Sequence, residues 1–342
     1  MTSSFGKSKM ITVHDVARQA GVSTATVSRV FSGKDGVVAN KTAVLVREVA
    51  LELGYTPSEI GRSLRLASSR IVVMIVPDST NDFCADVAVS VEQALVENDL
   101  SMVLMNSGED SGRQDSLLDD AESLRPRAIV LLGALDTPKL RALAKSSRDI
   151  IFVNRRPTDD IVAPYVGIDN VAAGRAVAEH FVSQGFRRIA VVHGPLRYAA
   201  SRGRVDGFVG RMGELGVGPA DIQRFEGPLT MEAGYAHGQA LCADTTRPEA
   251  VFCGNDMIAY GIHRAANDAG LRIPDDLAIC GFDDNRVNEW LAPWLTSVRV
   301  PALEIGPAVR DLILGHNPEA VREDCVLPFT LNVRASTLGQ RV

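Results

Sequence analysis

The stretch TVHDVARQAGVSTATVSRV, residues 12–30, decides how the chain is read. Thr12 with Asp15 three positions later is a capping-box-like helix start. Val13, Val16, Ala17 and Ala20 then recur at helical spacing. Gly21 stops that helix, because glycine tolerates the left-handed backbone of a tight turn. Ser23 can cap a second helix carrying Val27, Val30 and Phe31 on one side, and Gly33 and Gly36 end it. A third helix is predicted from about Lys41 to Leu53, with Leu45, Val49 and Leu53 facing inward and Gly54 at its end. Two short helices across a glycine turn, backed by a third, form a helix-turn-helix.

Outward from this segment the chain changes character twice. In residues 56–69, Pro57 permits a first helical turn and Ile60–Leu66 one short helix with little apolar surface. A helix below about 12 residues is marginal alone, so this one is expected to be conditional on a partner. From residue 70 the pattern becomes strand, helix, strand. Apolar runs at Ile71–Val76, Ser101–Met105, Ala128–Leu132, Ile150–Val153, Arg188–Val192, Ala250–Cys253 and Leu277–Phe282 alternate with amphipathic stretches such as Asp86–Asn98, Asn170–Gln184, Gly203–Leu215 and Asn255–Ala269. Buried strands alternating with helices imply parallel sheets, and two such sheets leave a cleft outside the carboxyl ends of their strands. Pro293–Pro301 reads as a crossover between them rather than a further unit.

The whole chain has 342 residues, enough for two to three domains, and at 46% hydrophobic it can build sizeable cores. Its formal charge of −6 is unevenly spread: residues 1–65 carry nine Lys and Arg against five Asp and Glu, a net of +4, which leaves −10 for the rest. A basic head on an acidic body fits a local polyanion contact. Met1–Met10 is polar and lacks the apolar stretch of a signal peptide, and no run approaches the ~18 apolar residues that span a bilayer, so a cytoplasmic location is the expectation. Five scattered cysteines without a C-x-x-C pair read as free thiols.

The head resembles that of the lactose/galactose repressor (LacI/GalR) family, through the Thr-initiated helix, Asp15-Val-Ala17, Ala20-Gly-Val-Ser23 and Thr26-Val-Ser-Arg-Val30. Val38–Leu53 followed by Gly54-Tyr55-x-Pro57 is similar to the family's third helix and the start of its hinge. The resemblance implies that Thr24 and Ala25 form the specificity pair in the major groove, where small side chains allow close approach and methyls meet thymine methyls. Ser23, Thr26, Ser28 and Arg29 would contact phosphates or base edges, although Ser23 and Thr26 serve equally well as helix caps. Thr12, Tyr55 and Arg62 join the implied DNA-contacting set. Leu64 holds the position of the family's leucine, which wedges a minor-groove base step as paired hinge helices bind. Gly61 stands where alanine is usual and costs about 0.8–1 kcal/mol of helix propensity. Ser32 and Ala43 depart from the family's usual Asn and Arg, which puts one backbone contact each in doubt.

The resemblance continues through Ile75–Phe83, Val166–Asn170, Arg204–Phe208, Gly254–Asp256, Gly281–Asp284, Leu295–Val298 and Arg334–Thr337. It implies a periplasmic-binding-protein-like (type I) α/β core of two parallel-sheet lobes that binds a small effector. The expected boundaries are 1–56 for the all-α head, 57–69 for the hinge and 70–342 for the core. Within the core, 70–167 and 298–330 would form the N-lobe, and 168–297 and 331–342 the C-lobe. Arg204, Asn255 and Asp283 offer donors and acceptors that suit sugar hydroxyls or a carboxylate, Phe83 a ring platform, and Arg155 a charge at a strand end. Asp82, Tyr198 and Trp290 are weaker candidates, and Asp169 is either a ligand contact or a helix start. Cys84 stands where purine-responsive members carry an aromatic, which favours a sugar or sugar acid unless the loop merely packs there.

No P-loop, G-x-S-x-G elbow or H-E-x-x-H appears, and the six histidines show no metal-like spacing. Neither a cofactor, a metal nor catalysis is expected. The expected partners are a palindromic double-stranded DNA operator, a second copy of the chain and a sugar or sugar acid. A sugar-binding transport component is the alternative, opposed by residues 1–69.

Overall fold

A computed structural model describes residues 11–31, 38–55, 69–146, 150–156, 161, 163–315 and 324–338. The chain divides into two units, Met1–Arg70 and Ile71–Val342. The hinge candidates Gly61, Arg62 and Leu64, together with Ser32, lie outside the described residues.

In the first unit, helices α1 (Val13–Ala20), α2 (Thr24–Phe31) and α3 (Asn40–Leu53) enclose a small core. The Asp15 carboxylate accepts from the Thr12 N–H at 3.0 Å and the Thr12 hydroxyl at 2.7 Å, tying down the first turn of α1. Gly21 adopts φ 65°, the left-handed conformation of the turn into α2. Val16, Val27 and Val46 are fully buried at the centre. The inward face of α3 is Val46, Val49 and Ala50; Leu45 is 44% exposed, which corrects its assignment as inward. Both sets satisfy a helical period, and only contact with α1 and α2 fixes which is buried.

The second unit is built on two six-stranded sheets. Strands β1 (Ile71–Val76), β2 (Ser101–Asn106), β3 (Ala128–Leu132), β4 (Ile150–Val153), β5 (Tyr165–Gly167) and β11 (Cys325–Val326) form one, in the order β11-β5-β4-β3-β1-β2 with every pair parallel. Strands β6 (Ile189–His193), β7 (Ile222–Glu226), β8 (Ala250–Cys253), β9 (Ala278–Asp283), β10 (Thr296–Arg299) and β12 (Thr330–Asn332) form the other, in the order β12-β10-β9-β8-β6-β7, with only β12 antiparallel. The order places neighbouring sequence elements side by side except at the crossovers. Helices α4 (Asp82–Val96), α5 (Ser111–Ser123), α6 (Pro138–Ser146), α7 (Asn170–Ser183), α8 (Ala199–Glu214), α9 (Met231–Ala243), α10 (Asp256–Asp268), α11 (Asn288–Leu291) and α12 (Ala302–Leu314) accompany them. No helix among the described residues is long and apolar enough to cross a membrane.

The stretch Pro293–Pro301, expected as a crossover, contains β10. Thr296 and Ser297 hid it, because their side chains are buried for polar reasons. The Ser297 hydroxyl donates to Asp256 at 2.6 Å, and the Thr296 hydroxyl donates to the Arg334 carbonyl at 2.9 Å. Strand β7 was missed because Gln223, Arg224 and Glu226 make it an alternating edge strand rather than an apolar run. Helices α7 and α8 approach closely through two glycines: a Cβ on Gly174 would meet the Arg204 carbonyl oxygen at 2.2 Å, and one on Gly207 the Val171 carbonyl oxygen at 2.1 Å. That contact sets the depth at which Arg204 enters the cleft described below.

Candidate DNA-reading face and effector cleft

On α2 the Ser23 hydroxyl accepts from the Thr26 N–H at 3.1 Å and shares a 2.9 Å hydrogen bond with the Thr26 hydroxyl. The cap reading of these two residues is thereby realised. Ala25 and Arg29 are exposed and Thr24 and Ser28 half-buried, while Val27 and Val30 point into the head. The turn of α2 that faces outward first is therefore made of small side chains. Thr12 is exposed at the start of α1. Tyr55 is half-buried, with its ring edge-on to Phe31 at 6.0 Å, so it closes the head's core as well as leading towards the hinge.

The core carries a cleft of about 360 Å³ at the carboxyl ends of its parallel strands, where ligands bind in such folds. Of the residues expected there, Phe83, Arg155, Arg204, Asn255 and Asp283 line it. Asp82 does not: it is exposed on the first turn of α4, beside the buried Phe83, because successive helical positions diverge by 100°. Tyr198 lines an adjoining outer cavity instead, stacked under the Arg155 guanidinium at 3.7 Å. Trp290 is 82% exposed and lines neither. The Asp169 carboxylate accepts from the Ala172 N–H at 2.9 Å and caps α7.

Two of the lining groups are already committed to the protein. Arg204 donates to Asn170 Oδ1 at 2.9 Å and to the Gly254 carbonyl at 2.7 Å, and lies 3.6 Å over the Phe282 ring. Asn255 caps α10 by accepting from the Ile258 N–H at 3.0 Å, and its amide donates to the Leu229 carbonyl at 3.2 Å. These two shape the floor of the cleft. Asp283 is different: its carboxylate faces Arg204 at 3.8 Å, beyond hydrogen-bond reach, so it retains capacity for a ligand. Burial pushes its carboxyl up to about 7, partly offset by the Arg204 charge. Its neighbour Asp256 is buried beneath the cleft and pushed up to about 8, first by burial and then by Asp283, although three hydrogen bonds from Ser297, the Asn285 N–H and Asn288 favour its charged form.

Arg155 donates to the Gly133 carbonyl at 3.1 Å and to Glu109 at 3.3 Å, while its buried Nε has no partner. Asn154 next to it sits at φ 61° with a buried Oδ1 that also lacks one. Cys84 lines the cleft beside Phe83, and burial pushes its thiol up to about 12, so it contributes a neutral wall. Sequence reading missed Asp78, Asn106, Glu109, Asn154 and Ser201, all of which line the cleft. Asn106 and Asn154 end or follow β2 and β4, so the strand-end rule was a signal for both. Glu109 sits at φ 55° in a turn with no sequence pattern to mark it.

A helix-turn-helix head and a two-lobed core with a strand-end cleft define an effector-controlled DNA-binding regulator. The model of the bacterial regulatory proteins of the lacI family matches residues 12–58, and that of the periplasmic-binding-protein-like domain matches residues 178–337. The chain is 31% identical to the ribose operon repressor of Escherichia coli (strain K12), over 89% of this chain and 92% of that one. It is also 31% identical to catabolite control protein A of Priestia megaterium, over 96% and 99%. The solved structure of the lac repressor dimer bound to operator and the anti-inducer ONPF superposes with a TM-score of 0.81 at 23% identity, covering 97% of this chain and 100% of that one, a likeness of fold. The chain belongs to the lacI family of bacterial regulatory proteins, and it is a DNA-binding transcriptional repressor controlled by a small effector. Its relatives here are regulators rather than enzymes.

Proposed function

We propose that a homodimer of this chain holds a palindromic operator and represses carbohydrate-uptake or catabolic genes, and that a sugar or sugar derivative in the core cleft sets its operator affinity. The observation that carries the DNA half is the division of labour on α2. Ser23 and Thr26 bond to one another, leaving Thr24, Ala25, Ser28 and Arg29 outside the packed face. Thr24 and Ala25 read bases; Ser28, Arg29 and Thr12 position the helix on phosphates. Tyr55, Arg62 and Leu64 extend the contact into the hinge, with Leu64 wedging a minor-groove step. Two-fold symmetry pairs one head with each half-site.

In the core, Phe83 offers the apolar platform, and Asp283 and Arg155 the polar partners of hydroxyls. Asn255 and Arg204 hold the cleft's form. The lobes at 70–167 with 298–330 and at 168–297 with 331–342 shift relative to each other when the effector binds, and operator affinity changes by the same coupling free energy. The reading places the protein in the cytoplasm on chromosomal DNA and assigns it no turnover of the bound molecule. A footprint over the gene's own promoter region tests it. A protected inverted repeat is expected, with affinity that falls steeply with salt and changes when a sugar that raises the melting temperature is added. A flat, sequence-independent profile at all salt concentrations would overturn it.

A further inference from the structure

A second cavity of about 780 Å³ adjoins the cleft and shares Glu109 and Arg155 with it. The two differ in charge. In the inner cleft three acids, Asp78, Glu109 and Asp283, stand against two arginines, Arg155 and Arg204, and Arg204 and Asp283 face each other.

The outer cavity is lined by Arg155, Arg156, Arg197 and Arg202 against three acids, Glu109, Asp110 and Asp136. Asp136 holds Arg141 in a bidentate pair at 2.7 Å, and Asp110 caps α5 through the Arg113 N–H at 2.6 Å. Glu109 is shared between Arg155 and the Tyr198 hydroxyl. Among the arginines, Arg156 pairs with Asp324, and Arg197 donates to the Tyr198 hydroxyl at 3.2 Å. Arg202 is exposed and makes no side-chain hydrogen bond or ion pair among the described residues.

A second feature converges on the same place. Helices α4, α5, α7, α9 and α10 are each capped by a side chain, from Asn81, Asp110, Asp169, Thr230 and Asn255. Like α11 and α12, helix α8 has no side-chain cap, with Tyr198 at its N-cap position. Its first residue, Ala199, lines the outer cavity, and Ala200 and Ser201 line the inner cleft. Unpaired N–H groups and the positive end of a 16-residue helix therefore open towards the arginines. The buried Arg155 guanidinium, with its unpartnered Nε, lines both cavities.

We propose that the effector is an anionic sugar derivative, bearing a carboxylate or a phosphate, whose charged group occupies the outer cavity between Arg202, Arg197 and the first turn of α8 while its ring or polyol chain occupies the inner cleft. The inference rests on the effector reading of the core and narrows it. Glu109 is the built-in competitor: its carboxylate, held by Arg155 and the Tyr198 hydroxyl, lines the cavity that the ligand anion enters.

Calorimetric titration of the full-length protein with matched triads tests this: a neutral sugar, its aldonic acid and its phosphate ester, with inorganic phosphate alongside. In one triad a charged member is expected to bind at least about tenfold tighter than its neutral parent, the effect of one charge-assisted hydrogen bond. Whether the acid or the ester binds tighter identifies the anion. Arg202→Gln removes most of that advantage, and Glu109→Gln strengthens binding of the charged member by removing a negative charge from the cavity lining. A neutral parent that binds as tightly as both derivatives, or an Arg202→Gln variant that keeps the full advantage, overturns the inference and leaves the sugar-effector reading standing. If no member of any triad binds or alters operator affinity, both fall.

Discussion

The head and the core solve recognition in opposite ways. In the head, the described residues assigned to DNA lie almost entirely on one eight-residue helix and the turn before it, and the cap and the reading face alternate along that helix. In the core, Asp78, Glu109, Arg155, Arg204 and Asp283 come from the ends of separate strands and helices, and each meets the others only after two sheets have formed. The head's surface is a local pattern on a small core centred on Val16, Val27 and Val46. The cleft is a non-local product whose polar groups largely hold one another. A substitution in the head should therefore alter binding with little effect on folding, whereas one in the cleft should alter both.

The largest effect expected is Arg204→Ala. It leaves the Gly254 carbonyl and Asn170 without their donor and Asp283 without its countercharge in a buried site. Breaking a buried pair in this way costs about 3–5 kcal/mol, to be read as a lowered melting temperature of the core together with lost effector response. Full stability with intact response would break the comparison. Next comes Ala25→Glu. An acidic residue suits the first turn of a helix, so the head should stay folded by circular dichroism. On the proposed reading the new charge enters the strongly anionic major groove, and operator affinity should fall about a hundredfold, or about 2.7 kcal/mol. Unfolding of the head instead would show that the reading face is also structural.

A third effect concerns pH. Burial holds the Asp283 carboxyl at about 7, above its ordinary 3.8. The folded state therefore keeps a proton that the unfolded state loses near pH 4, and the stability this proton contributes is lost as pH rises through the window from about 4 to 7. Asp283→Asn removes that dependence. The melting temperature of the variant should decline less than that of the parent between pH 4 and 7. Parallel curves would show that Asp283 does not titrate in this range.

Much of this molecule was legible beforehand because several of its signals are local. Ile71–Val76 is a run of six apolar residues and became a central strand, since a parallel strand covered on both faces needs no alternation. Thr296–Arg299 was not legible, because its buried threonine and serine answer to Asp256 and the C-terminal segment rather than to a hydrophobic core. Leu45 shows the same limit in a helix: periodicity marks an apolar stripe, but its phase is set by the neighbours.

By itself the sequence determined the head, its capped turn at Gly21 and the alternation of strands and helices that makes a two-lobed core, because each depends on interactions a few residues apart. Only the tertiary structure decided which candidates meet. It kept Phe83, Arg155 and Asp283 in the cleft and turned Asp82 outward. It committed Arg204 and Asn255 to the cleft's own scaffold. It also opened the uncapped start of α8 onto four arginines. The physical reason is that a buried polar group must find its partner in space, and in this core those partners lie tens to hundreds of residues away along the chain.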